Sequence, residues 1–249
     1  MVFNNYAKYY NLLYKDKDYV RETAYIHKLI NRFSIFPVES ILDLGCGTGN
    51  HAALLSKMGY FIDGVDLSEE MISIAQTKEC DKLQFFRGDI ASIDLKKEYD
   101  VIVSLFHVIS YITNSKDLED VFHNISRHLK KNGILIFDCW YGPAVLTQKP
   151  EVRVKRLEDE NFAITRIAEP IIYPNENTVD VNYEILIKDM STKEYEKVYE
   201  THKMRYFFRP EIESILKQHQ LSLLHCEEWM TGNQIGFETW GVCWVIRKI

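Results

Sequence analysis

Three glycines alternate with other residues in the run Asp43-Leu44-Gly45-Cys46-Gly47-Thr48-Gly49. Because glycine has no Cβ, such a run can turn sharply and let a ligand approach the backbone closely. Enzymes that bind dinucleotides share the G-x-G spacing, but their third glycine comes three residues after the second, where this chain has Asn50. The run therefore predicts a ligand-binding turn between a strand and a helix, and its spacing disfavours a nicotinamide dinucleotide.

Two more carboxylates follow the next apolar runs of the chain. Asp66 ends one run, where it could accept hydrogen bonds from both hydroxyls of a ribose, and Asp89 follows the next run, beside Ile90. Each acid alone could instead cap a helix. Open α/β sheets bind ligands where the carboxyl ends of parallel strands meet. Asp43, Asp66 and Asp89 at the ends of consecutive strands therefore predict one site at that edge.

The elements that position these residues alternate between strands and helices. Apolar runs predict strands over residues 40–45, 60–68, 83–90, 99–106 and 133–140. Helical spacing of apolar residues predicts helices over residues 17–34, 50–58, 68–78 and 115–131. Strands separated by helices favour a parallel sheet with helices on both faces.

The pattern changes after Trp140. Residues 141–150 are predicted to form a loop, and residues 151–208 alternate polar and apolar side chains without helical spacing, which favours antiparallel strands. Pro210 suits the first turn of a last helix, which two final strands follow. We expect a single domain over residues 1–249, whose parts are a helical lid, a cofactor-binding core, an antiparallel insertion over the acceptor site, and a final helix with strands of the core. Their predicted bounds are 1–36, 38–140, 150–208 and 209–249.

The segment from residue 38 to residue 140 resembles class I S-adenosylmethionine-dependent methyltransferases, whose D-x-G-x-G-x-G signature is present here as DLGCGTG. The resemblance implies a Rossmann-like, mostly parallel seven-stranded sheet with an inserted antiparallel cap. It also implies S-adenosyl-L-methionine as cofactor and S-adenosyl-L-homocysteine as product. Carried over by position, it implies that Gly45 and Gly47 lie under the methionine part, Asp66 at the ribose, Leu67 and Met71 on the adenine, Asp89 at its amino group with Ile90 beside it, and Leu105 near the methyl group. It also implies that Asp43 is a cofactor-binding residue.

A narrower resemblance begins at the amino terminus. Tyr10, Tyr14, Lys17-Asp18-Tyr19 and Glu22 are similar in spacing to the opening of bacterial sugar N-methyltransferases, which dimethylate nucleotide-linked amino sugars, and residues 104–112 are similar too. Asn11 stands where that family usually has Asp. The resemblance implies N- or O-methylation of a small polar metabolite, most simply a nucleotide-linked sugar.

Methyl transfer from a sulfonium requires mainly that an acceptor lone pair lie in line with the S–C bond. Tyr14, His107 and Tyr111 are the candidates that would handle a proton or position the acceptor, and Tyr10 or Tyr19 could contact the methionine carboxylate. The competing interpretation is that these aromatic side chains only pack. We further expect the tyrosine-rich residues 6–22 to fold over the cofactor as a lid.

Composition limits the remaining partners. A net charge of −6 without a basic patch disfavours nucleic acid, and five cysteines without a CxxC pair indicate neither a metal site nor disulfides. No segment has the apolar length of a membrane span or the pattern of a signal peptide, so we expect a cytoplasmic enzyme with a small-molecule acceptor, as a monomer or homodimer. A nicotinamide-dependent oxidoreductase and a non-catalytic S-adenosylmethionine-binding protein are the alternatives.

Overall fold

The computed structural model describes residues 12–249, in which strands and helices alternate as predicted. The strands are β1 Ser40–Leu44, β2 Phe61–Asp66, β3 Leu83–Arg87, β4 Tyr99–Ser104, β5 Leu129–Tyr141, β6 Arg153–Glu158, β7 Phe162–Tyr173, β8 Thr178–Asp189, β9 Tyr195–Phe207, β10 Leu221–Glu228 and β11 Gly241–Lys248. The helices are α1 Tyr19–Phe33, α2 Asn50–Lys57, α3 Glu69–Gln76, α4 Ser115–His128, α5 Gly142–Gln148 and α6 Arg209–Gln218, and a short 3-10 helix spans Val108–Tyr111.

Within residues 12–249, seven strands form the main sheet in the order β3-β2-β1-β4-β5-β11-β10. Strands β1 to β5 run parallel, and β11 is antiparallel to both of its neighbours. Apolar side chains of α1, α2 and α3 cover one face of the sheet, and those of α4 and α6 cover the other. The predicted Rossmann-like, mostly parallel fold is confirmed.

Strands β6 to β9 form the antiparallel sheet that was predicted after Trp140. Two parallel residue pairs, Trp140–Tyr206 and Tyr141–Phe207, join β9 to the end of β5. The insertion is therefore hydrogen-bonded to β5, an inner strand of the main sheet.

Side-chain caps explain where several helices begin. The carboxylate of Asp18 accepts the backbone N–H of Arg21 at the start of α1, the Ser68 hydroxyl accepts that of Met71 at α3, and Asn114 caps α4. Such caps satisfy N–H groups that have no partner within the helix. Because α3 and α4 each follow a strand of the parallel sheet, these caps also fix the turns at its carboxyl edge.

The structure corrects two boundaries drawn from the sequence. Residues 142–148 form helix α5 and not a loop, because Pro143 fits its first turn while Ala144 and Val145 pack into the interior. Strand β5 begins at Leu129, four residues earlier than predicted, and α4 correspondingly ends at His128. Within the described part of the chain, no helix combines the length and apolar character needed to cross a bilayer.

Candidate functional site

A cavity of about 600 Å³ lies at the carboxyl edge of the main sheet and extends beneath the insertion. Its wall combines the glycine run, the turns after β2, β3 and β4, the segment before α1, and strands β8 and β9. Most of the residues predicted from the sequence line it: Tyr14, Tyr19, Gly45, Gly47, Asp66, Leu67, Met71, Asp89, Ile90, Leu105, His107 and Tyr111. Tyr10 lies outside the described residues.

The three glycines of the run have different roles, although all have positive φ. A Cβ on Gly45 would lie 2.5 Å from the Val108 side chain, and one on Gly49 would lie 2.5 Å from the Phe85 ring, so both positions need glycine for close packing. A Cβ on Gly47 would meet no atom within 4 Å, and Gly47 lines the cavity. Gly47 therefore keeps open the space that a ligand needs above the backbone.

Asp66 ties the glycine run to the end of β2. One carboxylate oxygen accepts the Gly47 N–H at 2.8 Å and the other accepts the Ser68 N–H at 2.9 Å. Burial raises the pKa of Asp66 although these N–H groups oppose the rise. Its carboxylate thus lies at the cavity wall, in the place predicted for a ribose-binding acid.

Asp43 does not line the cavity, which differs from the direct cofactor contact predicted for it. It lies within β1, between Gly64 of β2 and Val103 of β4, and is 2% exposed. Burial, together with the nearby Asp66 carboxylate, raises the pKa of Asp43 to about 7, and its Oδ2 accepts no hydrogen bond. Its position inside the strand, two residues before the turn, keeps it beneath the glycine run.

Apolar side chains and one acid form the end of the cavity predicted for adenine. Met71 and Ile90 are buried, and Leu67 forms a half-exposed outer wall. Asp89 accepts the Ala91 N–H at 2.9 Å through Oδ1 and lies on the cavity wall beside them. A flat apolar slot with one acceptor group at its side suits a purine ring.

An unusual turn after β4 places His107 in the cavity wall. Phe106 and His107 both adopt positive φ, which non-glycine residues rarely do. The Asp138 carboxylate holds this turn, since it accepts the N–H groups of Phe106 at 2.7 Å and His107 at 3.1 Å. Its Oδ2 also lies 2.7 Å from Nδ1 of His107. Burial opposes ionisation of Asp138, but His107 keeps its pKa below the usual value.

Sequence reasoning missed Asp138, although one signal was present. The residue is a lone acid in the apolar strand segment Ile134-Leu-Ile-Phe-Asp-Cys-Trp140, and an ionised side chain is rarely buried without partners. An acid in such a place therefore indicates a fixed polar partner, here the turn that carries His107.

The insertion provides the opposite end of the cavity. Val181, Tyr183, His202 and Met204 on β8 and β9 line it. The guanidinium of Arg166 on β7 lies 5.0 Å from the centre of the Tyr183 ring and 5.9 Å from that of Tyr14. Two polar residues of this sheet line the cavity, Tyr183 and His202, and Arg166 and Glu200 lie beside them. The sequence did not single out any of the four, because alternation reveals which strand positions share a face but not which face meets a ligand.

The segment before α1 is attached beside the glycine run. The Glu22 carboxylate lies 2.6 Å from Nζ of Lys17 and 2.7 Å from Nε2 of His51 in the first turn of α2. Burial raises the pKa of Glu22, but His51 and Lys17 together bring it below the usual value. Nζ of Lys17 also lies 3.8 Å from the centre of the Phe106 ring. These contacts hold Tyr14 and Tyr19 at the cavity.

Comparison with known proteins agrees with this geometry. Residues 41–133 match the profile of the family described as "Methyltransferase domain". A candidate methyltransferase of Geobacillus sp. (strain WCH70) is 30% identical over 55% of this chain and 57% of its own length. The dTDP-3-amino-3,6-dideoxy-alpha-D-glucopyranose N,N-dimethyltransferase of Streptomyces fradiae is 25% identical over 92% of this chain and 87% of its own length.

A solved S-adenosylmethionine-dependent methyltransferase from Clostridium acetobutylicum ATCC 824 superposes with a TM-score of 0.83 at 25% identity, covering 99% of each chain. The profile match covers the glycine run and the strands that follow it, and the superposition extends over the insertion as well. The chain is therefore an S-adenosylmethionine-dependent methyltransferase, which sets aside the nicotinamide-dependent alternative.

Proposed function

We propose that this methyltransferase transfers the methyl group to the amine nitrogen of a nucleotide-linked amino sugar. The observation that carries the proposal is a single cavity with two different ends. One end has the features of a cofactor site, and the other is a polar and aromatic chamber formed by the insertion. The relative from Streptomyces fradiae, which matches 92% of this chain, bears the name of an enzyme for such an acceptor.

The residues at the first end fit S-adenosylmethionine. Gly47 leaves open space above the backbone, and the buried Asp66 carboxylate suits the ribose hydroxyls. Asp89, Met71 and Leu67 suit the adenine, and Leu105 closes the wall towards the methyl group. Asp43 is buried in β1, outside the cavity wall. When bound, the cofactor supplies a methyl group already activated by its positive sulfur.

The chain's own contribution is then to align the acceptor. Tyr14 and Phe106 form an edge-to-face pair with ring centres 5.1 Å apart, and His107 and Tyr111 lie on the neighbouring wall. Aromatic faces attract a cation, so these rings suit the sulfonium and exclude water. Orientation of two reactants in this way can supply several kcal/mol of the barrier reduction.

Arg166 supports a nucleotide-linked acceptor. A diphosphate needs positive charge, and guanidinium groups bind its oxygens well. Arg166 is half-buried against two aromatic rings at the insertion end, in a protein whose net charge is −6.

The direct test is a methylation assay with dTDP-3-amino-3,6-dideoxy-α-D-glucopyranose and S-adenosylmethionine, followed by mass spectrometry. We expect one or two added methyl groups, and no methylation of the matched nucleotide sugar that carries a hydroxyl in place of the amine. Methylation of the hydroxyl compound would instead make the enzyme an O-methyltransferase. Binding of S-adenosylhomocysteine without methylation of either compound would contradict the proposed acceptor.

A pair of arginine variants tests the acceptor end separately. Arg166→Gln should raise KM for the nucleotide sugar by roughly tenfold or more, as expected for a lost charge-assisted hydrogen bond. Affinity for S-adenosylhomocysteine should not change. Arg209→Gln is the matched control, because Arg209 lies on the surface and pairs with Glu213. An equal effect of the two substitutions would argue against a phosphate role for Arg166.

The proposal includes the parts of the chain defined above. Residues 1–36 would act as the lid, 38–140 as the cofactor core, 150–208 as the cover of the acceptor site, and 209–249 as the completion of the core. We also propose a cytoplasmic location, which the five cysteines support because all lack a disulfide partner.

A further inference from the structure

Three polar side chains form a chain that leads away from the insertion end of the cavity. The Tyr111 hydroxyl, in the 3-10 helix after β4, lies 2.8 Å from Nδ1 of His202 on β9. Nε2 of the same imidazole lies 3.0 Å from Oε2 of Glu200. Tyr111 and His202 line the cavity, whereas Glu200 lies behind them.

This assembly is built into an otherwise apolar surface. On the inward face of β9, Val198 precedes Glu200 and Met204 follows His202, and both are buried. His202 is 3% exposed, and its ring meets that of Tyr183 edge to face with centres 4.7 Å apart. A carboxylate and an imidazole are costly to bury in such a place unless they are hydrogen-bonded. Burying Glu200 and His202 therefore costs free energy of folding that apolar residues in the same positions would not.

The order of the three groups fixes the direction of their hydrogen bonds. A carboxylate can only accept, so Nε2 of His202 donates to Glu200 and Nδ1 is left to accept from the Tyr111 hydroxyl. Hydrolytic triads use the same order of carboxylate, imidazole and hydroxyl to draw a proton from the hydroxyl group. Here the hydroxyl that ends the series is phenolic and faces the acceptor end of the cavity.

We propose that Tyr111, His202 and Glu200 form a relay that removes the proton from the acceptor's ammonium group before methyl transfer. The inference rests on the proposed function. The ammonium N–H bond breaks as the proton joins the Tyr111 oxygen, while the Tyr111 O–H bond breaks and its proton joins Nδ1 of His202. Glu200 stabilises the resulting imidazolium. The neutral amine then forms the N–CH₃ bond as the S–CH₃ bond breaks, and His202 returns its proton to solvent.

The groups that face this relay come from every neighbouring element. They are Tyr14 from the segment before α1, Asp117 from α4, Arg166 from β7 and Tyr183 from β8. Burial raises the pKa of Tyr111 well above its usual value, and Arg166 opposes that rise. Tyr111 therefore keeps a proton of its own at neutral pH and can pass one on without becoming a phenolate.

His107 is less suited to receive this proton, although it also contacts a carboxylate. Asp138 holds the turn after β4 by accepting the N–H groups of Phe106 and His107, and its Oδ2 lies 2.7 Å from Nδ1 of His107. The contact between His107 and Asp138 therefore shapes the cavity wall. His202, by contrast, connects the cavity with a carboxylate through both of its ring nitrogens.

The test compares pH profiles of kcat/KM for the amino sugar substrate in the wild type and in His202→Gln, Glu200→Gln and Tyr111→Phe. At pH 7 each substitution should lower kcat by roughly 10²-fold, the lower range for lost acid–base catalysis. KM and S-adenosylhomocysteine affinity should stay within about twofold. As the pH rises, solution supplies the neutral amine, so the defect should shrink to a few-fold. A defect of equal size at all pH values would indicate a structural role and overturn the relay.

His225→Gln is the matched control. His225 pairs with Glu227 two residues away on β10, at 2.8 Å, but does not line the cavity. The His225→Gln substitution removes a histidine–glutamate pair on a strand and leaves the relay intact. The pH profile of kcat/KM for this variant should therefore follow that of the wild type. A profile like that of His202→Gln would show that any such pair has this effect and overturn the assignment.

A second measurement does not depend on activity. Nitrogen NMR of the histidine side chains, assigned with His202→Gln, should show His202 protonated at Nε2 and unprotonated at Nδ1. Protonation at Nδ1 would mean that His202 donates to Tyr111, which overturns the relay. If the wild type failed to methylate the amino sugar, the proposed acceptor would fall, and the tautomer would still decide whether the relay has the required direction.

Discussion

Replacing the buried Asp43 with asparagine should stabilise the protein, and more so as the pH rises. In the folded state the pKa of Asp43 is about 7, raised from 3.8 by burial and by Asp66. Between those values the folded protein holds a proton that the unfolded chain has released, so stability falls as pH rises towards 7. Each pH unit between these two pKa values lowers the free energy of unfolding by about 1.4 kcal/mol, so the total loss above pH 7 is roughly 4 kcal/mol. The amide side chain of the variant does not titrate, so this dependence is removed.

Urea unfolding of the wild type and Asp43→Asn at pH 5 and pH 8 measures the effect. From the same pKa values, the advantage of the variant should grow by about 1–3 kcal/mol between the two pH values. Asp63→Asn is a control of opposite sign. The Asp63 carboxylate accepts a hydrogen bond from the buried Tyr99 hydroxyl at 2.6 Å and lies 2.8 Å from Nζ of Lys97, so the loss of its charge should destabilise the protein at pH 8 by about 1–2 kcal/mol. An Asp43→Asn advantage that is the same at both pH values would refute the reasoning.

Three further predictions concern the cofactor end. Asp66→Ala should weaken S-adenosylhomocysteine binding by about 2–4 kcal/mol in calorimetry, since charged hydrogen bonds are lost; tight NAD binding instead would contradict the assignment. Gly47→Val should abolish binding because the new side chain enters the open space and not the core, and it should also lower the stability of the protein because valine is strained at the positive φ of Gly47; circular dichroism should still show a folded protein, and normal affinity would place the cofactor elsewhere. Hydrogen exchange of residues 12–22 should slow when S-adenosylhomocysteine binds, and equal protection in both states would leave these residues only a packing role.

The parallel core could be predicted from sequence because each of its elements has a strong local signal. Apolar runs of β-branched residues, helical spacing and glycine at positive φ agree with one another between residues 40 and 140. The site residues that follow β2, β3 and β4 could be found for the same reason, since their place after a strand decides that they meet at one edge.

The acceptor end could not be found in this way. Whether Tyr183 and His202 face a cavity depends on how the insertion packs against the main sheet, and strand periodicity alone does not contain that information. Asp43 is the converse case. Its place in a motif predicts contact with the cofactor, whereas its position inside β1 buries it outside the cavity wall.

The two residue pairs between β5 and β9 also bear on how ligands reach and leave the cavity, because they attach the insertion to the main sheet. Because the insertion is hydrogen-bonded to the strand that carries Asp138, we expect it to stay in place while ligands exchange. We expect the ligands to pass on the side of residues 12–22, which three side-chain contacts around Glu22 and Lys17 hold beside the cavity. An exit shared by S-adenosylhomocysteine and the methylated product would make their release ordered, and product-inhibition kinetics would measure that order.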